Sequence, residues 1–569
     1  MTDSRWLWPL AWAVVILVGL WLRFWQIDLQ ILIDDEWHAV HKLMAAGYRE
    51  IFLSFGHADH TIPLTLLFRF LAETIGLSEW RMRALPLLFG SATIVILPWV
   101  MRPWLEREGR WLFGALIAIS PLLIHFTRYV RPYALTVPLG FVAMVSLWRW
   151  WHEGGRGWLL TFVLAAVLCA WLHPLTLLFT GSALTWFGFQ AMGQAWFKRD
   201  FSGLKRIVPT GIVTAVLAGA LVLPPLLADP SAMQSKSGIH QIEWVTFLRG
   251  WELIAGTANG LALALFSVLV IAGAVRLVQK DGGFAGYWLF MSVVAVVVIA
   301  LLDPAWIHHA LVLVRYSAVF VPMVLVLATL GTLSAAGWLA GRLTASPAGE
   351  RAMTITMSLL LLPALVWSGP LPEIYRGLNQ FTSHMRYHFD YKFERSIYTE
   401  VMAQARLPAV YRRMMTEPGD WVLIETPWHF ESHFSPLSEY QRFHQMPVRI
   451  GMISGLCSDW THGELRPQSD QTIRFDRFVF LHSLLHWRPP ENRFVVFHRG
   501  SPFGYVRELP DIEPCIDRYR ERFGAPWHED DNQVIFRLPG NSGHDYEDDR
   551  DDDHDDEGDD ERGDDSGGV

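Results

Sequence analysis

The side chains best suited to chemistry lie in a short stretch that follows the first apolar segment of the chain. Asp34, Asp35 and Glu36 are consecutive, and Asp59 and His60 follow in the same stretch. A carboxylate can take a proton from a hydroxyl or an amine as that group attacks a substrate, so these residues are candidate general bases. Three adjacent carboxylates are also poor partners for anionic lipid headgroups, which disfavours a purely interfacial role.

A second set of polar residues lies at the ends of later apolar segments. Its members are Arg128, Arg131, Tyr133, His173 and Arg315. Arginine binds phosphate through two parallel charge-assisted hydrogen bonds and keeps its charge. Ionisable groups at a membrane edge are tolerated mainly where they line a wet cavity. We therefore expect both sets to share one cavity that pairs a base with a phosphate site, although Arg128 fits equally well as an anchor among lipid headgroups.

The composition is typical of a membrane protein. The chain has 569 residues, of which 51% are hydrophobic and 18% are charged, whereas soluble proteins carry about 25% charged residues. This composition excludes disordered, collagenous and nucleic-acid-coating proteins. Residues 545–565 hold fifteen Asp or Glu and two Arg, and without them 41 acidic and 45 basic residues remain. The body of the chain is therefore slightly basic, and its net charge of −9 comes from this tail.

Runs of about 17–25 apolar residues are long enough to cross a bilayer. They predict eleven spans, near residues 8–25, 84–101, 111–127, 132–150, 158–172, 174–192, 208–226, 257–275, 284–302, 310–340 and 353–368. Residues 61–76 are apolar but carry Arg69 and Glu73, so we predict an interfacial amphipathic helix, with a short tilted span as the alternative. With that helix on the surface and a cytoplasmic N-terminus, thirteen Lys or Arg fall in cytoplasmic loops and five in outer loops. This bias follows the positive-inside rule and places both polar sets outside.

The sequence changes character after residue 369, where short β-like runs alternate with helical stretches. We divide the chain into a transmembrane module at 1–369, an extracytoplasmic α/β domain at 370–540 and a disordered Asp-rich tail at 541–569. The predicted fold is thus an α-helical polytopic membrane protein with a soluble C-terminal α/β domain. That domain could bind an acceptor, act as a lid or serve as a structural cap. Its Cys457 and Cys515 could form a disulfide in an oxidising compartment.

Several motifs in the first 340 residues follow one another in a recognisable order. They are Asp35-Glu36, Asp59-His60-Thr61-Ile62-Pro63-Leu64, Arg83-Ala84-Leu85-Pro86, Ser120-Pro121, Arg131-Pro132-Tyr133-Ala134-Leu135, His173 and Arg315-Tyr316. In this order and spacing the chain resembles the bacterial polytopic glycosyltransferases of the GT-C class. These enzymes are relatives of the protein O-mannosyltransferases and of the lipid A aminoarabinose transferase. The resemblance covers about residues 8–340.

The resemblance implies an inverting glycosyltransferase in a bacterial plasma membrane. Such an enzyme moves a sugar from a polyprenyl-phosphate donor to a lipid, glycan or protein acceptor at the outer face. By position, Asp35 would be the base with Glu36 beside it, and Arg131 and Arg315 would bind the donor phosphate. The remaining residues of both polar sets would contact substrate.

Two departures from the family pattern leave roles open. The family's His-Pro-Pro-Leu element has lost its first proline here, which puts the role of His60 in doubt. Asp34 adds a third carboxylate, so the choice of base between Asp34, Asp35 and Glu36 is not settled by sequence. His57 together with Asp59, His60 and the three carboxylates could also hold a divalent cation. The spacing matches no helix-borne ligand pair, so no metal or other cofactor is assigned.

A transporter or flippase is the alternative function, with the charged residues forming a substrate path. Transporters usually show paired repeats and charged or broken helices near the middle of the bilayer. The sequence shows no repeat, and its charges cluster at one membrane face. The pattern therefore favours an enzyme whose partners are a lipid-linked sugar and membrane lipids rather than nucleic acid.

Overall fold

The computed structural model describes residues 7–32, 36–55, 61–234, 238, 241–343, 346–375, 407–427, 437–453, 455–457, 475–487, 489–499 and 511–540. The part up to residue 375 is helical, and a sheet follows after residue 407.

The helices of the first part are α1 Leu7–Phe24, α2 Trp37–Ala45, α3 Tyr48–Phe52, α4 Ile62–Thr74, α5 Glu79–Val100, α6 Arg107–Ile119, α7 Pro121–Arg128, α8 Tyr133–Glu153, α9 Arg156–Leu172, α10 Leu177–Lys198, α11 Ser202–Ala228, α12 Ser231–Gln234, α13 Trp244–Ala255, α14 Gly260–Leu302, α15 Ala310–Tyr316, α16 Val321–Leu343, α17 Pro347–Ser368 and α18 Leu371–Ile374. Short 3₁₀ turns lie at Pro174–Thr176 and Ala318–Phe320.

Every predicted span coincides with helix, and the predicted interfacial segment forms α4. Within the described residues, six helices are long and apolar enough to cross a membrane, or up to seven if one bent pair counts as a single span. The number eleven therefore stays a prediction. One difference is the 43-residue α14, which contains two predicted spans and is interrupted at Asp281 by non-helical backbone angles. The Asp281 carboxylate accepts the Phe284 N–H at 3.0 Å, as an N-cap does for a new helix.

The third predicted span is broken between α6 and α7, which are bent by 57°. Pro121 has no N–H to donate to the carbonyl of Ile117, four residues earlier. The buried guanidinium of Arg23 supplies donors instead, from Nη2 to Ile117 O at 3.1 Å and from Nη1 to Ala118 O at 3.0 Å. These two hydrogen bonds hold the C-terminal end of α1 against the break between α6 and α7.

The second part of the chain forms a six-stranded sheet with the strand order β3-β2-β1-β4-β6-β5. Its strands are β1 Trp421–Thr426, β2 Val448–Met452, β3 Phe478–Phe480, β4 Asn492–His498, β5 His528–Glu529 and β6 Gln533–Leu538. Its helices are α19 Ala409–Met414, α20 Leu437–His444, α21 Ser483–His486 and α22 Glu513–Phe523. Strands β1 to β4 are parallel, and β6 runs antiparallel to β4 and β5. The predicted C-terminal α/β region is therefore confirmed.

The sheet is buried on both faces. One face adds Leu423 and Val496 to an apolar cluster that also contains Trp37 of α2. The opposite face packs Val495 against Tyr519 of α22, and the predicted disulfide between Cys457 and Cys515 is present. The predicted domain boundaries and the acidic tail stay predictions, because 376–406 and 541–569 lie outside the described residues.

Helices α14 and α16 approach each other closely at two glycines. A Cβ on Gly273 would overlap the carbonyl of Leu327, and a Cβ on Gly331 would overlap the carbonyl of Leu269. Small residues allow such close backbone approach between membrane helices. This contact fixes α14 against α16, which follows α15, the short helix that carries Arg315.

Gly273→Ala and Gly331→Ala should each lower the thermal unfolding midpoint of the detergent-solubilised protein. The added methyl group must displace a backbone carbonyl, and overpacking of this kind costs about 1–3 kcal/mol. Gly341→Ala is the control, because a Cβ on Gly341 in α16 meets nothing within 4 Å. Midpoints for Gly273→Ala and Gly331→Ala that equal the control value would contradict the close approach.

Candidate active site

The described residues include six of the ten predicted site residues. They are Glu36, Arg128, Arg131, Tyr133, His173 and Arg315. Asp34, Asp35, Asp59 and His60 lie outside the described residues, as does the candidate metal ligand His57. In the part of the chain that the structure describes, no group of three or more His, Cys, Asp or Glu could hold a metal ion.

The site is organised around the guanidinium of Arg83, which is completely buried on α5. Its Nε donates to the carbonyl of Arg128 at 3.0 Å. Its Nη1 donates to Gln30 O at 2.5 Å and its Nη2 to Ile31 O at 3.1 Å. Gln30 and Ile31 lead into the segment that carries Asp34, Asp35 and Glu36, which we call the first polar stretch. The Arg83 side chain thus holds the start of this stretch against the end of α7.

Glu36 completes this arrangement. Arg83 Nη2 lies 3.3 and 3.4 Å from the two carboxylate oxygens of Glu36, and both side chains have 0% relative exposure. The same carboxylate accepts the backbone N–H of Val130 at 2.8 Å. Glu36 therefore joins α5, the start of α2 and the loop after α7. It directly follows Asp35, so it anchors one end of the segment that carries the candidate base.

Arg128 lies inside the protein, with 1% relative exposure. Its Nε donates to Gln30 Oε1 at 3.2 Å, and its Nη1 donates to Arg23 O at 2.8 Å. A side chain enclosed in this way does not reach lipid headgroups, so the anchor interpretation is wrong for Arg128. Its contacts with Gln30 and Arg23 instead tie α7 to α1 and to the first polar stretch.

Three further predicted residues lie near one another: Tyr133 begins α8, His173 directly follows α9, and Arg315 lies in α15. The ring centroids of Tyr133 and His173 are 6.1 Å apart, and those of His173 and Tyr316 are 5.8 Å apart. The guanidinium carbon of Arg315 lies 5.3 Å from the Tyr316 ring centroid. The Thr176 hydroxyl donates to His173 O at 2.8 Å and holds the turn before α10. Arg315 is half-buried, whereas Arg128 and Arg131 are buried, so it is the most accessible of the three predicted arginines.

The loop between α7 and α8 links the network around Arg83 to the aromatic cluster of Tyr133, His173 and Tyr316. Val130 contacts Glu36, and Tyr133 contacts His173. Arg131 lies between them, with 3% relative exposure, and its N–H donates to Tyr129 O at 2.7 Å. All six described residues of the predicted site are therefore connected through this loop or through the aromatic cluster beside it.

The sheet region contacts the helical part of the chain through the residues before β3. Arg477 Nε donates to Glu79 Oε2 at 2.5 Å, and its Nη2 donates to Asp28 O at 2.7 Å. The Asp476 N–H donates to Leu77 O at 2.8 Å. These contacts lock the sheet region to the N-terminal end of α5, the helix that carries Arg83.

Aromatic packing reinforces this lock. Trp37, the first residue of α2, is stacked on Phe478 with 6.5 Å between ring centroids and 8° between ring planes. Trp37 also donates its indole N–H to Leu32 O at 3.1 Å. The two described ends of the segment that carries Asp34 and Asp35 are therefore bridged by Trp37, which the sheet region covers.

A separate polar cluster lies within the sheet region. Tyr411 donates to Glu425 Oε1 at 2.9 Å, and His498 Nε2 lies 2.8 Å from Glu425 Oε2. Burial and the neighbouring Glu425 raise the pKa of Tyr411 well above its usual value. Burial lowers the pKa of His444, which stacks on Tyr411, to about 3. The cluster holds α19 and α20 on the sheet.

Several site-forming residues were not predicted as such. Arg83 was named only as part of the Arg83-Ala84-Leu85-Pro86 motif and was given no role in the site. That motif is the sequence signal that could have identified it. Gln30 and Arg23 gave no sequence signal, because their partners lie far along the chain. The same holds for Arg477, whose partner Glu79 is separated from it by 398 residues.

No family model matches the chain, and no curated protein matches it. Solved structures similar to it include apo ArnT from Cupriavidus metallidurans, with 12% identity, a TM-score of 0.43 and coverage of 94% of this chain and 99% of that chain. ArnT bound to undecaprenyl phosphate gives 13% identity, a TM-score of 0.41 and the same coverage of 94% and 99%.

A second similar protein is the archaeal oligosaccharyltransferase AglB from Archaeoglobus fulgidus, in complex with an inhibitory peptide and a dolichol-phosphate. It gives 10% identity, a TM-score of 0.43 and coverage of 88% of this chain and 70% of that chain. ArnT and AglB are glycosyltransferases of the GT-C class, the class that the sequence motifs resemble.

The buried Arg83–Glu36 pair can be tested by a double-mutant cycle. Arg83→Gln should lower the free energy of unfolding by about 3–5 kcal/mol, because it leaves a buried carboxylate without its cation. The double variant Arg83→Gln/Glu36→Gln should be more stable than the sum of the single effects predicts. Chemical denaturation of the purified protein measures all four species. Strictly additive effects would show that the pair is not coupled.

The lock between the sheet region and α5 gives a second cycle. Arg477 and Glu79 have side chains that are 13% and 4% exposed, so Arg477→Gln and Glu79→Gln should show a coupling of about 1–3 kcal/mol. The neighbouring pair Arg81 and Asp476 is 35% and 53% exposed. It serves as the matched control, with an expected coupling below about 1 kcal/mol. A coupling at Arg477–Glu79 no larger than the control would contradict the proposed lock.

Proposed function

We propose that this chain transfers a sugar from a polyprenyl-phosphate donor to a lipid, glycan or protein acceptor at the outer face of the membrane. The observation that carries the proposal is the buried network in which Arg83 binds both Glu36 and the carbonyl of Arg128. This network ties the carboxylate-bearing segment to the loop that carries Arg131 and leads to Tyr133, the first residue of α8. A candidate base and a candidate phosphate site are thereby held on adjoining elements.

The chemistry is a single displacement at the anomeric carbon. A carboxylate takes the proton of the acceptor hydroxyl or amine, whose lone pair attacks the face of the sugar opposite the donor phosphate. The bond from the anomeric carbon to the phosphate oxygen breaks, and the polyprenyl phosphate leaves with that electron pair. Guanidinium groups stabilise the charge that develops on the leaving phosphate. Arg315 and Arg131 fill that role in the proposal, with Arg315 the more accessible.

Asp35 is the preferred base, and Glu36 is given a positioning role. The carboxylate of Glu36 is enclosed and already accepts hydrogen bonds from Arg83 and from the Val130 N–H. A general base must instead reach the proton of an incoming acceptor. Asp34 and Asp35 are the two remaining carboxylates of the segment, and Asp35 is the position that matches the family motif.

The transporter alternative receives no support from the buried charges. Arg23, Arg83 and Arg128 all donate to main-chain carbonyls that belong to other helices or loops. Cations bound in this way brace the fold and do not offer a path for a moving substrate.

The sheet region is proposed to act as a cap that shapes the site. Arg477 contacts Asp28 and Phe478 contacts Trp37, on either side of the first polar stretch, and these contacts support that role.

The base assignment is tested by Asp35→Asn. We expect this variant to abolish sugar transfer in a complemented deletion strain, measured by mass spectrometry of surface glycans and lipids, because the amide cannot accept the proton. Binding of a polyprenyl phosphate to the purified variant should be unchanged. Asp34→Asn is the comparison variant and should lower transfer less than Asp35→Asn does, because its amide can still hydrogen-bond the substrate. Transfer by Asp35→Asn together with its loss in Asp34→Asn would move the base to Asp34.

A further inference from the structure

Three polar side chains form a row across three neighbouring strands of the sheet, which we call the polar row. Glu425 lies one residue before the end of β1, His498 ends β4, and Gln533 begins β6. His498 Nε2 lies 2.8 Å from Glu425 Oε2, and His498 is paired directly with Gln533 across β4 and β6. Since β6 is antiparallel to β4, all three residues lie at the same edge of the sheet.

The face that carries the polar row is otherwise apolar. Its cluster includes Leu423 of β1, Val496 of β4 and Ile535 of β6, and each of them is two residues from a member of the row. Side chains two residues apart point to the same side of a strand, so the row shares this face. Polar groups cost free energy where the neighbouring positions are apolar, so packing alone does not account for the row.

The polar row lies where the strand order reverses. The chain passes from β1 to β2 and β3 on one side, and then returns to place β4 on the other side of β1. The connecting helices lie on opposite faces, because Tyr440 of α20 belongs to the cluster of Leu423, and Leu484 of α21 belongs to the opposite cluster. In open α/β sheets, ligands bind outside the carboxyl ends of the strands at such a reversal. Glu425 and His498 lie at the carboxyl ends of the two strands that flank it.

Gln533 supplies an independent observation. It has 5% relative exposure, and its carboxamide makes no hydrogen bond to any residue that the structure describes, although the group is not sealed from solvent. Buried polar side chains are nearly always hydrogen-bonded. An accessible carboxamide without a partner at this position therefore indicates a ligand that supplies one.

His498 offers a second accessible group. Its side chain is 13% exposed, whereas that of Glu425 is 1% exposed. Glu425 also accepts the Tyr411 hydroxyl at 2.9 Å, which fixes the carboxylate. A neutral imidazole that donates Nε2–H to this carboxylate keeps Nδ1 as an acceptor. Among the described residues, nothing donates a hydrogen bond to Nδ1.

These groups favour a ligand that is rich in hydroxyl groups. The Gln533 carboxamide offers a donor and an acceptor side by side, and His498 Nδ1 offers another acceptor. Neighbouring hydroxyls of a sugar ring match this pattern, whereas the buried Glu425 carboxylate repels an anionic group. We propose that the polar row binds a saccharide and that this saccharide belongs to the acceptor. The assignment to the acceptor rests on the proposed function, whereas saccharide binding does not.

The test is saccharide binding by the full-length protein. Detergent-solubilised protein is applied to a printed array of neutral and acidic saccharides, and binding of a polyprenyl phosphate is measured in the same preparations. Gln533→Leu should weaken binding to neutral saccharides about tenfold, the effect of losing two ordinary hydrogen bonds. It should leave binding of the polyprenyl phosphate unchanged. His486→Phe is the control and should bind as wild type does, because His486 is an exposed residue of α21, which lies over the opposite face.

Thermal unfolding of the same variants separates binding from folding. Gln533→Leu removes an unpaired polar group from an apolar face, so its unfolding midpoint should equal or exceed that of wild type. His498→Phe should weaken saccharide binding and also lower the midpoint, because it removes one hydrogen-bond donor from the buried Glu425. A lowered midpoint in Gln533→Leu with unchanged saccharide binding would show a structural role and overturn the site.

The remaining outcomes distinguish the site from the proposed function. A wild-type protein that binds no saccharide on the array overturns the site and leaves the proposed function standing. Saccharide binding that EDTA abolishes would assign the polar row to a metal ion, which also overturns the site. In the complemented deletion strain, Gln533→Leu should lower sugar transfer. Full transfer by this variant despite its lost saccharide binding would overturn the assignment to the acceptor. Absence of transfer in wild type would instead contradict the proposed function and leave saccharide binding standing.

Discussion

The arrangement of the candidate site depends on one buried guanidinium, that of Arg83. A fully buried arginine side chain is tolerated only when its N–H groups have hydrogen-bond or ion-pair partners. Here they are distributed over the carbonyls of Gln30, Ile31 and Arg128 and the carboxylate of Glu36. Each acceptor belongs to a segment that carries a predicted site residue or leads into one. Satisfying Arg83 therefore fixes the relative positions of the first polar stretch and the loop between α7 and α8.

The sequence predicted the long helices of the membrane part because long apolar runs are a local signal. The same holds for β1, β3, β4 and β6, whose short β-branched and aromatic runs are visible without any partner, whereas β2 and β5 were not predicted. The break between α6 and α7 was missed, although Pro121 is in plain view, since a proline within an apolar run often only kinks a helix. At this break Arg23 donates to the carbonyl that Pro121 leaves without a partner, a contact across 94 residues of sequence.

The same difference between local sequence signals and contacts between distant residues applies to the prediction of the site. Residue types and order were sufficient to group Glu36, Arg128, Arg131, Tyr133, His173 and Arg315, which the structure connects through one loop and one aromatic cluster. The individual roles could not be predicted, because they depend on long-range partners. Glu36 changes from a neighbour of the base to a positioning group once Arg83 and Val130 are known. Arg128 changes from a possible headgroup anchor to a buried brace for the same reason.

The most direct test is a structure of the full-length protein with a bound polyprenyl phosphate. We expect the lipid phosphate within hydrogen-bond distance, about 3 Å, of the guanidinium groups of Arg315 and Arg131, while Glu36 remains paired with Arg83. A phosphate bound elsewhere, with neither Arg315 nor Arg131 in contact, would contradict the proposed donor site. Release of Glu36 from Arg83 to face the ligand would contradict its positioning role.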